Sequence, residues 1–293
     1  MTLRDAGHSL KITLKIVTIA LFGLVGAVAA WAQDASPWDR EPHAAARLIA
    51  GAAVISDGGE VPRAGIEIRL DPGWKTYWRY PGDSGVPPTF DFAGSENIKA
   101  VTPLWPAPER FADGGGGYSI GYHGDIILPL RIVPDDANKP AALRVKIGYA
   151  TCSNICVPAQ ADLGLTLSGK TGAEEPILAA AEARVPRHVA LGTGGGLAIT
   201  SVHRERNGAH DRVVVAVAVP NGAPVDLFVE GPTSDWALPL PQPIGATATG
   251  APAMRTYAFD LDGLPPGAHA EGALLTFTAV SSGDAIEVEA RLD

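Results

Sequence analysis

Cys152 and Cys156 are the only cysteines of this chain, set in Tyr149-Ala-Thr-Cys152-Ser-Asn-Ile-Cys156-Val-Pro158. Thiols at this spacing offer three chemistries. They can form a small structural staple, they can cycle as a redox couple, or they can hold Cu(I), which favours soft thiolates. A disulfide between them closes a loop of about five residues, worth roughly 2 kcal/mol on the chain-entropy model. That makes an inefficient staple, and a short loop suits a bond meant to be opened. Cys-x3-Cys spacing does not by itself decide between staple and couple. Copper has less support, because Met1 and Met254 are the only methionines and the histidines show no His-x3-His spacing. We expect no metal site and no cofactor.

An oxidising compartment is implied upstream. Arg4, Lys11 and Lys15 precede an uncharged apolar run from Ile16 to Ala30, and Ala30-Trp31-Ala32 gives a small-x-small cleavage pattern before Gln33. This reads as an export signal over residues 1–32, since the apolar run falls short of the about 20 residues of a membrane span. The expectation is a periplasmic chain with no membrane insertion once the signal is removed. Formal charge is -9 for the whole chain. Without the signal it is -11, from 20 basic and 31 acidic residues, a poor surface for nucleic acid or anionic lipid.

The elements that must position the cysteines read as β. Ile66-Glu-Ile-Arg-Leu70 alternates strictly, as does Ala161–Leu167. Arg47–Ile55, the aromatic run Trp74–Tyr80, Thr89–Phe92, Ile98–Leu104, Ile126–Val133 and Leu143–Tyr149 are further short segments bounded by Gly, Pro, Asp or Asn. Leu143–Tyr149 and Val157–Leu167 flank the cysteines and predict a hairpin with the pair at or near its tip. Glu174–Val185 predicts the one helix, stopped by Pro186, and Thr193-Gly-Gly-Gly196 a flexible break. Arg212–Val219, Val225–Val229, Arg255–Phe259, Leu274–Val280 and Ile286–Leu292 repeat the β pattern. The fold class is therefore all-β. Two β-sandwiches, 33–170 and 197–293, are joined by a helix and Gly-rich linker over 171–196.

Four motifs then stand in order. They are Gly73-Trp-Lys-Thr-Tyr-Trp-Arg79, Trp105-Pro-x-Pro-x-Arg-Phe111, Leu128-Pro-Leu130, and Tyr149-x-x-Cys152 followed by Cys156-Val-Pro158. Together they resemble the N-terminal periplasmic domain of the DsbD and ScsB thiol–disulfide reductases, over about Arg47 to Leu167. The resemblance implies that the sandwiches are immunoglobulin-like and that Cys152 and Cys156 are a redox couple. It would take electrons from a membrane thiol reductase and pass them to periplasmic thioredoxin-fold proteins. It also implies an aromatic cap over the pair, here Glu109–Tyr122, with Phe111 and Tyr118 as shielding rings and Gly114–Gly117 giving freedom. Trp74, Tyr77 and Tyr149 are the supporting aromatics. Three departures stand out. The cysteines are closer than is usual in DsbD, and the cap lacks an acidic run. The sequence carries neither a membrane-embedded nor a thioredoxin-like domain, so either a separate membrane protein supplies electrons or the domain is put to another use. The other readings are an interaction module with a purely structural disulfide and a copper-handling protein.

Overall fold

Alternation of side chains dictates the architecture. From Ala159 to Leu167 buried and exposed residues alternate without a break. A strand of this kind covers a core with one face and meets solvent with the other, so two such sheets must stack. The computed structural model describes residues 34–56, 59–113, 116–207, 210–248 and 253–293. The expected export signal lies outside the described residues. Among the described residues no helix is long and apolar enough to cross a membrane.

In chain order the first strands are β1 (Asp39–Glu41), β2 (Ala44–Ser56), β3 (Gly59–Leu70), β4 (Lys75–Gly82), β5 (Thr89–Asp91) and β6 (Ile98–Pro103). Then come β7 (Glu109–Ala112), β8 (Tyr118–His123), β9 (Ile126–Pro134), β10 (Ala141–Cys152) and β11 (Cys156–Leu167). One sheet runs β1-β2-β3-β9-β6, the other β11-β10-β4-β8-β7 with β5 added against β10. Leu48, Ile66, Ile68, Leu128 and Ile132 of the first sheet meet Trp78, Ile120, Leu143, Val145 and Ile147 of the second in a continuous core.

The helix α1 (Glu175–Glu182) follows. It is shorter than the sequence predicts because its end tightens. Arg184 N and Val185 N bond three residues back, to Ala181 and Glu182 carbonyls, before Pro186 stops the chain. The helix lies on the outside of the first sheet. Arg63 pairs with Glu175 at 2.7 Å and with Glu182, and Arg47 pairs with Glu174 at 3.0 Å. Gly51 and Gly65 make the floor. A Cβ at Gly51 would stand 2.8 Å from Leu178, and one at Gly65 3.0 Å from it. Residues 190–199 form a closed turn, with Thr193 N bonded to Ala190 O and Gly192 N to Ile199 O.

The second half contains β12 (Arg187–His188), β13 (Ala198–Asn207), β14 (His210–Val219) and β15 (Asp226–Glu230). It closes with β16 (Gln242–Ala248), β17 (Ala253–Asp260), β18 (Leu274–Ser281) and β19 (Asp284–Arg291). Sheets β12-β19-β18-β15 and β13-β14-β17-β16 stack around Val213, Val215, Leu227, Phe277 and Val288.

The described residues form one compact unit, so the second sandwich is seated on the first. Phe228 and Leu240 pack into the first core, with the Phe228 ring 5.8 Å from that of Trp78. Arg79 on β4 bonds Glu230 at 2.7 Å and also Glu287. Burial opposes the Arg79 charge, but its bonds to Glu230 and Glu287 outweigh this and hold the guanidinium more firmly protonated than usual. Tyr80 donates to Leu238 O at 2.6 Å. Burial first, then Asp83 and Glu230, pushes the Tyr80 hydroxyl up to about 12, which keeps it a donor. Arg110 on β7 donates to Leu227 O at 3.0 Å and pairs with Asp226 at 3.3 Å.

Candidate active site

β10 and β11 form an antiparallel hairpin whose last register pair is Cys152 opposite Cys156, and the two are joined by a disulfide. The flanking strands fix this register. Leu143, Val145, Ile147 and Tyr149 all face the core, so Cys152 falls on the outer face. Arg144 and Lys146 leave that outer face exposed, yet Ala150 and Cys152, farther along it, are buried. Something must cover them, and it is Tyr77. The result is a pair of unlike sulfurs. Cys152 is 1% exposed, whereas Cys156 lies open at the tip.

The Tyr77 hydroxyl donates to Cys152 Sγ at 3.0 Å and lies 3.4 Å from Cys156 Sγ. Burial, then the negative charge of Asp113, raises the Tyr77 hydroxyl above its ordinary value, so it stays a donor at neutral pH. Gly85 lets a loop close against the ring, since a Cβ there would come 2.7 Å from Tyr77 and 2.3 Å from Pro81.

Phe111 is buried on the same side. It lines one recess with Cys152, Lys75, His123, Ser153, Asn154 and the turn at Pro72-Gly73. The His123 ring lies 4.2 Å from it and the Lys75 ammonium 5.3 Å. In the segment Glu109–Tyr122, expected as a movable cap, β7 pairs with β8 and Phe111 stands opposite Ser119. Tyr118, Ile120 and Tyr122 alternate with small residues, and that alternation outweighs the loop tendency of the nearby glycines. Gly114 and Gly115 lie outside the described residues.

The other aromatics do not surround the disulfide. Tyr118 sits beside the Arg110 guanidinium, 5.5 Å from its ring centre, and packs on the first core. Trp74 is stacked on His43 at 3.8 Å. Tyr149 is a core residue on the inner face, its hydroxyl raised to about 12 by burial and then by Glu41 and Asp39. Sequence reasoning passed over Lys75 and His123 at the site. The only signal was that Lys75 and Tyr77 alternate in the run Trp74–Tyr80 and so share a face. Among the described residues no group of three or more His, Cys, Asp or Glu could hold a metal ion.

Residues 46–168 match the family described as "Thiol:disulfide interchange protein DsbD, N-terminal". No curated protein matches the chain. The crystal structure of the N-terminal periplasmic domain of ScsB from Proteus mirabilis superposes with a TM-score of 0.66 at 24% identity, covering 88% of this chain and 98% of that one. At that identity the likeness speaks for the fold, which here includes the second sandwich.

Proposed function

We propose that this chain, whose residues 46–168 are a DsbD N-terminal-like domain, is a periplasmic thiol–disulfide exchange protein with Cys152 and Cys156 as its couple. On this reading residues 1–32 are removed on export. A membrane thiol reductase reduces the pair, and the pair reduces thioredoxin-fold partners. One observation carries it: Cys156 is open to attack, while Cys152 is buried under a hydroxyl 3.0 Å away that can receive it as a leaving group.

The steps follow from that asymmetry. A thiolate of the donor dithiol attacks Cys156 Sγ. The Cys152–Cys156 bond breaks and its electron pair goes to Cys152 Sγ, where the Tyr77 hydroxyl donates to the new thiolate. The donor's second thiolate then attacks the donor sulfur of the mixed disulfide and releases Cys156. Two electrons have passed from the donor dithiol to the pair, and the protons come from solvent. In the outgoing direction Cys156 attacks a partner disulfide and Cys152 resolves the mixed disulfide.

Trapping tests the order. A thioredoxin that keeps only its attacking cysteine is activated as a mixed disulfide with a good leaving group. It should couple to the Cys152→Ser chain rapidly and to the Cys156→Ser chain slowly. Equal or reversed rates would overturn the assignment of Cys156, and no coupling by either would remove the exchange reading.

A further inference from the structure

Three neighbouring strands place Cys152, Lys75 and His123 in one row. Cys152 is opposite Lys75 between β10 and β4, and Lys75 is opposite His123 between β4 and β8. Residues opposed in this way share a face, with Cβ atoms about 4.5–5.5 Å apart. All three line the recess walled by Phe111. The Lys75 ammonium is weakly engaged. It donates to Ser119 Oγ at 3.3 Å and lies over the Phe111 ring, and among the described residues it has no carboxylate partner. By contrast, Arg47, Arg63 and Arg79 are each matched to acids.

We propose that Lys75 is the counter-charge for the Cys152 sulfur: it stabilises that sulfur as a thiolate when the disulfide opens, and so governs how readily Cys152 leaves. This deepens the exchange reading and rests on it. The reacting electrons end on Cys152, in a place almost closed to water. Burial disfavours a thiolate there, and the Tyr77 hydroxyl offers a hydrogen bond but no charge. A flexible ammonium one strand away can supply the charge. The other charged or titratable groups facing the site are Tyr77 on β4, His123 on β8 and Asp113 at the end of β7. Asp113 opposes a thiolate, though its carboxylate accepts bonds from Ser84 and from Gly117 N. His123 adds positive charge beside Lys75 only when its imidazole is protonated.

An opposite charge within 4–6 Å moves a titration by about 1–3 units, and an open recess keeps the effect at the low end. The test uses the mature two-sandwich chain with Cys156→Ala, so that one thiol remains, and follows the 13Cβ shift of Cys152 against pH. Lys75→Met should raise the midpoint by about one unit, a tenfold loss of thiolate below it, and Lys75→Arg should restore the original midpoint. In the two-cysteine chain, Lys75→Met should slow reduction by dithiothreitol several-fold at neutral pH. A purely structural Lys75, bracing Phe111, predicts a changed rate with an unmoved midpoint. An unmoved midpoint in Lys75→Met, or the same displacement in Lys75→Arg, overturns the proposal. Should Cys156→Ala not fold, the pH dependence of the equilibrium with glutathione in the two-cysteine chain decides between the same outcomes. If no thioredoxin-fold donor reduces the native disulfide, the exchange reading falls, while the Cys152 midpoint still decides the role of Lys75.

Discussion

The two ends of β4 do opposite things with charge. At one end Lys75 and Tyr77 face the disulfide, and the lysine has a single weak hydrogen bond and a ring for company. At the other end Arg79 is gripped by Glu230 and Glu287, while Tyr80 is tied to Leu238 of the second sandwich. One strand therefore carries a rigid seam and an uncommitted site. The seam joins sandwiches because its charges are matched and its apolar partners, Trp78 and Phe228, share a core. The site keeps capacity in reserve for a charge that appears only when the disulfide opens.

The largest effect is expected from breaking the seam. Arg79→Met removes the cation shared by Glu230 and the nearly buried Glu287. Removing one partner of such a cluster should cost about 3 kcal/mol. Denaturant unfolding should show this as a lower midpoint, with the two sandwiches separating into two transitions. The rate of disulfide reduction in the folded protein should be unaltered. If that rate changes as much as the stability, the two ends of β4 are not independent and the comparison fails.

Opening the site end should cost less. Replacing both cysteines by serine removes a loop constraint worth about 2 kcal/mol. Circular dichroism should still report folded β structure at room temperature. A chain unfolded there would mean that the bridge is a staple.

Phe111→Ala addresses access. Its ring walls the recess that Cys152 lines, so its loss should speed reduction by dithiothreitol several-fold with a smaller change in stability than a core Phe deletion, which costs about 3–5 kcal/mol. An unchanged rate with a full core-sized loss would reassign Phe111 to packing alone.

The smallest effect lies at the helix. Its bond from Arg63 holds the Glu175 carboxyl below the usual carboxylate value, against an opposing contribution from burial. A depressed folded value means that this contribution is present above the unfolded value, about pH 4.3, and is lost as pH falls through the folded one. Amide protection in α1, taken relative to the intrinsic exchange rate at each pH, should therefore fall below about pH 4 while the sheets stay protected. Protection already lost at pH 6 would show that other contacts hold the helix.

Much of this was legible in the sequence for local reasons. The cysteine hairpin follows from two alternating runs that flank a short tip, and the helix from its apolar face and Pro186. Strands β13 and β16 were not read, and both are edges of one sheet. The polar Ser201-Val-His-Arg-Glu-Arg206 can sit on an edge because nothing packs beyond it, so no hydrophobic pattern marks it. Lys75 and His123 were missed for a different reason. Their link to Cys152 runs across β10, β4 and β8, strands far apart in the chain, and register between distant strands leaves no spacing signal. Trp74 and Tyr77 look alike in sequence. Only the cross-strand geometry sends one to His43 and the other to the sulfurs.

The most direct test of the central claim is the reduction potential of the Cys152–Cys156 pair, measured by equilibrating the folded chain lacking residues 1–32 with glutathione redox buffers at pH 7. A couple that exchanges electrons with thioredoxin-fold proteins should sit well above about -300 mV, within reach of those partners. A value below about -300 mV, with the disulfide resisting every such buffer, would mark the bond as structural and contradict the exchange reading.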